Sequence, residues 1–173
     1  QQLLPELVAQ GHQVMASTRT PAKAGRLREL GAEPTVVDGL DAMAVGEAVA
    51  RAEPDAVIHQ MTSLAGDVDM RHFDRMFAVT NRLRTQGTDH LLAAAAAAGA
   101  RRFIAQSYTG WPNIREGGPV KTEDDPLDPD PPAEQRESLA AIEYLERVVP
   151  AAAPMQGIVL RYGSFYGPGA SDD

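Results

Sequence analysis

Three times in this chain a helical stripe runs into a glycine and an apolar stretch follows within a few residues. Gly11 precedes His12-Gln13-Val14-Met15, Gly31 precedes Thr35-Val36-Val37, and Gly99 precedes Phe103-Ile104-Ala105. A glycine just past a helix end accepts the left-handed backbone that turns the chain back, so each marks a helix-to-strand junction. Leu3, Leu4, Leu7 and Val8 give the first helical stripe, Pro21 opens a second helix to about 30, and Asp41 caps a third to about 52. Further helices are expected over 70–83, from 87 through the alanine block, and over 133–149. Strands are expected over 12–17, 35–37, 56–59, 103–106 and 157–161. Helices alternating with short apolar strands predict right-handed βαβ units and a parallel sheet, an α/β fold.

Composition narrows the function classes. The 173 residues suffice for one domain with a sizeable core, and no run of 18 apolar residues marks a membrane span. There is no cysteine, which removes disulfides and thiolate metal sites and points to an intracellular, cytoplasmic compartment. The four histidines, His12, His59, His72 and His90, share no metal-ligand spacing. A net charge of -8 disfavours a nucleic-acid partner, because phosphate binding needs a basic field. The chain opens on Gln1 with no signal-peptide pattern, and reads as an internal fragment of a longer protein.

The residues over 87–111 carry most of the functional information: an alanine helix stopped at Gly99, a basic step at Arg101 and Arg102, a strand, and a polar exit at Ser107 and Tyr108. In open α/β sheets ligands sit at the carboxyl ends of strands, so Ser107 and Tyr108 are the first candidates for chemistry. Residues 110–132 are rich in Pro, Gly and Asp and are expected as a long loop, the kind that is usually functional.

Taken together, GHQV at 11–14, DAVIH at 55–59, TNRLRTQGTDHLLAAAAAAGARRFIAQS at 80–107 and VLRYGSFYGPG at 159–169 resemble the extended short-chain dehydrogenase/reductase family, of the NAD-dependent epimerase/dehydratase type. The best single piece is Asn81, Gly87-Thr88 and the strand to Ser107, backed by Arg161 and Tyr166-Gly167-Pro168-Gly169. The resemblance implies a Rossmann-like, doubly wound parallel sheet. It also implies one NAD(P)-binding domain over 1–173, incomplete at both ends, whose first strand and phosphate-binding glycine turn precede Gln1. That strand belongs in the middle of the sheet.

The resemblance also assigns cofactor positions. After the 12–17 strand the family places an acid for NAD or an arginine for the 2′-phosphate of NADP; Arg19 stands there, which favours NADP over NAD. Asp38 and Gly39 match the segment lining the adenine, although Asp38 reads equally as a turn residue. Gln60, Met61 and Thr62 follow His59 where the family has a His-Leu-Ala-Ala-like run beside the cofactor, and His59 itself reads as a buried core histidine. Asn81, Gln106 and Tyr162 complete the expected cofactor contacts.

Family catalysis rests on a Ser or Thr, a Tyr, and a Lys four residues on, the cation being needed to bring a phenol of pKa near 10 into use at neutral pH. No Tyr-x-x-x-Lys occurs here, and alignment through Ser138 and Glu143 puts Gln135 and Leu139 at those two positions. Two roles stay open for Tyr108: a relocated phenol beside Ser107, helped by Lys121 from the loop, or a space-filling or substrate-binding residue that transfers no proton. Thr109 and Gly110 stand where the sugar dehydratases have an acidic pair, which disfavours sugar-nucleotide 4,6-dehydration. The first reading is an NAD(P)-dependent oxidoreductase or epimerase acting on a carbonyl or hydroxyl small molecule, a sugar nucleotide among the candidates. The alternatives are a non-catalytic NAD(P)-binding regulatory protein and an interaction domain that binds no nucleotide. The family commonly dimerises through the helices over 70–98 and 133–149, and the alanines of the first permit a homodimer without requiring one.

Overall fold

A computed structural model describes residues 3–63, 70–118 and 120–163. The element order is α1 (Leu3–Ala9), β1 (Met15–Thr18), α2 (Ala24–Glu29), β2 (Glu33–Val36), α3 (Ala42–Ala52), β3 (Ala56–His59), α4 (Phe73–Arg82), α5 (Thr88–Ala97), β4 (Arg102–Tyr108), α6 (Arg136–Val148) and β5 (Gln156–Tyr162). The motif from Tyr166 to Gly169 and residues 64–69 of the polar loop lie outside the described residues. Gly11, Gly31 and Gly99 take φ of +84°, +85° and +75°, the left-handed turn expected of each. Asp41 caps α3, its Oδ1 accepting from the Met43 and Ala44 amides at 3.1 and 3.0 Å.

All strand pairs are parallel, and they form two pieces, β1–β2 and β3–β4–β5. Among the described residues no pairing joins the pieces; the resemblance puts a further strand between β1 and β3. The pieces are tied together through helices. α3 packs on α5, and His90 Nδ1 lies 3.2 Å from the Gly39 carbonyl.

Side-chain alternation sets what each face of the larger sheet does. Val57, Phe103 and Ala105 turn to one face and pack with Ala95 of α5, Leu145 of α6 and Val149 just past its end, all at most 9% exposed. Burying a side chain such as Phe103 or Leu145 stabilises by roughly 1.5–3 kcal/mol, so this face holds the larger sheet to its helices. Ile58 and Leu160 turn to the opposite face and stay 38% and 39% exposed.

Several boundaries differ from expectation by a few residues, β1 beginning at Met15 and β2 at Glu33 among them, and two of the differences shape the site. β4 was expected to end at Gln106, yet its ladder continues through Ser107↔Arg161 and Tyr108↔Tyr162. Partner strand β5 supplies those pairings, and a long-range partner is invisible to local patterning. Ser107 and Tyr108 therefore sit inside the strand and point to opposite faces. The helices expected over 70–83 and from 87 run on into each other through a π-helical turn, Leu83–Gly87, because Gly87 keeps helical angles (φ -62°, ψ -37°).

The return from α6 into β5 is tight. A Cβ at Gly157 would overlap the Val149 carbonyl oxygen, so this position admits only glycine. Gly157→Ala is expected to lower the unfolding free energy of the full-length protein by about 3 kcal/mol in urea denaturation. A change below about 0.5 kcal/mol would contradict this packing.

Candidate functional site

The carboxyl ends of β3 and β4 meet the π-helical turn, and His59 is the joint. Its Nδ1 accepts from the Met61 amide at 3.2 Å, which places the ring proton on Nε2. That Nε2 lies 3.3 Å from the Leu83 carbonyl and 3.1 Å from Thr88 Oγ1, while Thr88 Oγ1 donates to the Arg84 carbonyl at 2.7 Å. Burial is the main cause that lowers the His59 pKa to about 4; the Leu83 carbonyl opposes it and the Arg84 charge adds to it. His59 is thus a neutral ring that bolts a helix turn to a strand end. It is 3% exposed and meets the Phe103 ring edge-on at 6.4 Å. The core reading of this histidine holds.

Beyond it lies a small pocket lined by His59, Gln60, Met61, Thr62, Arg84 and Gln106. Gln60, Met61, Thr62 and Gln106 are thus brought together as expected. Gln60 Nε2 also reaches the Tyr162 hydroxyl at 3.4 Å. Met61 is a wedge: a Cβ at Gly39 would collide with its thioether, and one at Gly87 would lie 3.3 Å from its methyl. Two glycines at this contact let the exit of β2 close on the π turn. Arg84, unremarked in the sequence, is the cation of the pocket.

Ser107 belongs to a different cluster. Its hydroxyl donates to Glu146 Oε1 at 2.5 Å, and the residue is 1% exposed. Arg161 grips the same carboxylate with two bonds, Nε to Oε1 at 3.0 Å and Nη2 to Oε2 at 2.7 Å. Its remaining Nη1 donates to the Glu123 and Asp125 carbonyls at 3.4 and 3.5 Å, pinning the long loop. Donating its hydrogen bonds to the Glu146 carboxylate raises the Arg161 pKa above its ordinary value. Tyr108 is half-buried on the opposite face, paired across the ladder with Tyr162.

The remaining expected residues lie apart from this pocket. Arg19 is exposed just beyond β1, where Thr18 Oγ1 accepts from the Thr20 amide at 3.1 Å. Asp38 is exposed and its Oδ1 accepts from the Leu40 amide at 3.0 Å, so it builds the turn. Asn81 donates to Ser138 Oγ at 3.0 Å, which in turn donates to Asp74 Oδ1 at 2.6 Å; these bonds join α4 to α6. Gln135 and Leu139 are buried at 7% and 3% exposure. Lys121 donates to the Glu116 carbonyl at 2.5 Å and lies 4.0 Å from Asp125. Its charge therefore serves its own loop, which folds on itself through the Asn113↔Leu127 bridge. Trp111 meets Phe73 edge-on at 5.0 Å and seals the loop against α4. Among the described residues no three His, Asp or Glu side chains cluster as metal ligands, and no helix is long and apolar enough to cross a membrane.

A sequence model of the NAD(P)H-binding family matches residues 1–148. The chain belongs to that family. The fold agrees with the epimerase type of short-chain dehydrogenase/reductase that the sequence resembles. The Thermus thermophilus UDP-glucose 4-epimerase, solved with NAD, superposes with a TM-score of 0.73 at 24% identity, covering 99% of this chain and 53% of that one. The Thermotoga maritima UDP-glucose 4-epimerase, solved with UDP-glucose, gives 0.72 at 21% identity over 96% and 52%. A Streptomyces 3-diazoavenalumate denitrifying reductase is 43% identical over 168 residues, 96% of this chain and 53% of that protein. The chain thus spans about half the length of these relatives.

The NAD(P)H of the family finds fitting groups here. The pocket offers the amides of Gln60 and Gln106, the Thr62 hydroxyl, and a guanidinium nitrogen of Arg84 that is buried with no hydrogen-bond partner.

A neutral His59 makes stability pH-dependent. Its folded pKa, about 4, lies below the unfolded value of about 6.5, so between them the unfolded chain binds the extra proton. The His59 contribution is present above pH about 6.5 and is lost as pH falls toward 4, up to roughly 3 kcal/mol. Denaturation of the full-length protein and of His59→Gln at several pH values between these limits checks this. The gap between the two is expected to shrink with acidification, and a constant gap would contradict it.

Proposed function

We propose that this chain is the cofactor-binding half of an NAD(P)H-dependent reductase whose acceptor takes a hydride without a protein proton donor. The observation that carries the reading is the state of the expected acid/base positions. Gln135 and Leu139 stand at the tyrosine and lysine positions, both buried, and the Ser107 hydroxyl is committed to the Glu146 carboxylate. A carbonyl gains a proton as well as a hydride when reduced, and a site with this set of groups serves that chemistry poorly. When bound, a reduced nicotinamide supplies a hydride, and for a diazonium acceptor ArN2+ + H− gives ArH + N2 with no proton consumed. The relative named for a diazo substrate and its denitrifying reduction, 43% identical, supports this acceptor class.

The chain's own residues then bind and orient. Gln60, Thr62 and Gln106 supply amide and hydroxyl partners at the pocket, with Met61 closing its floor against Gly39. Tyr108 and Tyr162, side by side at the ends of β4 and β5, flank the acceptor with aromatic surface. Arg19, exposed after β1, meets the 2′-phosphate of NADP, which favours NADPH over NADH.

Nicotinamide fluorescence of the full-length protein is expected to report NADPH binding tighter than NADH binding. Turnover is expected with an aryl diazonium salt and not with a carbonyl panel. Tyr108→Phe is expected to keep its rate within about threefold, whereas loss of a proton donor removes on the order of a hundredfold or more. Carbonyl turnover that disappears in Tyr108→Phe would overturn the reading, and cofactor binding without any turnover would favour a regulatory role.

A further inference from the structure

Arginine 84 stands in an arrangement that needs an anion. It projects from the π-helical turn into the pocket at the ends of β3 and β4, and its Nη1 is buried with no hydrogen-bond partner. Among the described residues no carboxylate pairs with it. The contrast with Arg161 is direct, because that guanidinium is held by both oxygens of Glu146. Desolvation lowers the Arg84 pKa, yet a guanidinium stays charged at any working pH, so the pocket keeps a cation. His59, the other titratable group lining the pocket, is neutral and offers no counter-charge. A buried, unpaired charge is unfavourable in a protein that gains nothing from it. The other lining groups, Gln60, Thr62 and Gln106, are neutral hydrogen-bond partners that complement an oxyanion without competing for it.

We propose that Arg84 is an oxyanion-binding residue, taking an anionic oxygen of the ligand seated at the ends of β3 and β4. The oxygen belongs to a phosphate of the dinucleotide or to a carboxylate of the acceptor. The assignment rests on the family's cofactor pocket and is independent of the diazonium chemistry proposed above.

The test uses Arg84→Met, which keeps the stem and removes the charge, and Arg84→Lys, which keeps a charge, in the full-length protein. Ligand-free thermal midpoints are expected to stay level or rise in Arg84→Met, because an unpaired buried charge has been removed. A phosphate source predicts that inorganic pyrophosphate raises the wild-type midpoint but not that of Arg84→Met, and that the NADPH dissociation constant from fluorescence rises at least tenfold. A carboxylate source predicts the same midpoint pattern with benzoate in place of pyrophosphate, and an unchanged NADPH constant. Arg84→Lys is expected to retain part of the response in either case. If neither anion distinguishes Arg84→Met from wild type, or if the ligand-free midpoint falls in both variants, Arg84 is structural and the proposal fails. None of these readouts depends on turnover, so their failure is separable from failure of the reductase reading.

Discussion

The Glu146–Arg161 ion pair is the interaction on which the site depends. Its side chains are 14% and 19% exposed, and it joins α6, β4, β5 and the long loop through one carboxylate. Breaking such a pair by removing one partner typically costs about 3–5 kcal/mol, because the other charge is left buried. The geometry spends the carboxylate fully, since Arg161 takes both oxygens and Ser107 shares one of them. The consequence is chemical as well as structural. Ser107, which matches the first residue of the family's strand-end pair, is a support for α6, while Tyr108 stands at the position that in the family usually touches substrate.

On the other side of β4 the same logic runs through His59. Its two nitrogens are occupied by the Met61 amide, the Leu83 carbonyl and the Thr88 hydroxyl, so the ring positions the π turn rather than moving protons. The π turn in turn brings Gly87 against Met61 and Arg84 into the pocket. Two polar clusters, one on each side of β4, thus fix the ends of the strands around the pocket. Neither cluster holds a group free to act as an acid at neutral pH.

Much of the fold was legible because its signals are local. Three glycines announced left-handed turns, Asp41 announced a helix start, and Ala56–His59 was readable as a strand from four residues. What failed depended on distant partners. The end of β4 lay two residues further on because Arg161 and Tyr162 pair with it, and this moved Ser107 and Tyr108 onto opposite faces. In the site, the run from Gln60 to Thr62 lines the pocket with Gln106, while Asn81 serves the α4–α6 contact and Asp38 its own turn. Glu146 carried a signal of its own, being an acid within the apolar stripe of α6, and a buried acid asks for a buried base. Arg84 was hidden because nothing local distinguishes an arginine on a helix from a solvated one.

On the proposed reading, a dinucleotide site whose expected acid/base positions hold the buried Gln135 and Leu139 should reduce acceptors that need only a hydride. The most direct measurement is the solvent deuterium isotope effect on kcat/KM for NADPH-dependent reduction of an aryl diazonium by the full-length protein. The account predicts a value close to unity, because no proton moves in the step that the site promotes. A value above about 2 would contradict it, since it would place a proton transfer in that step and a donor in the site.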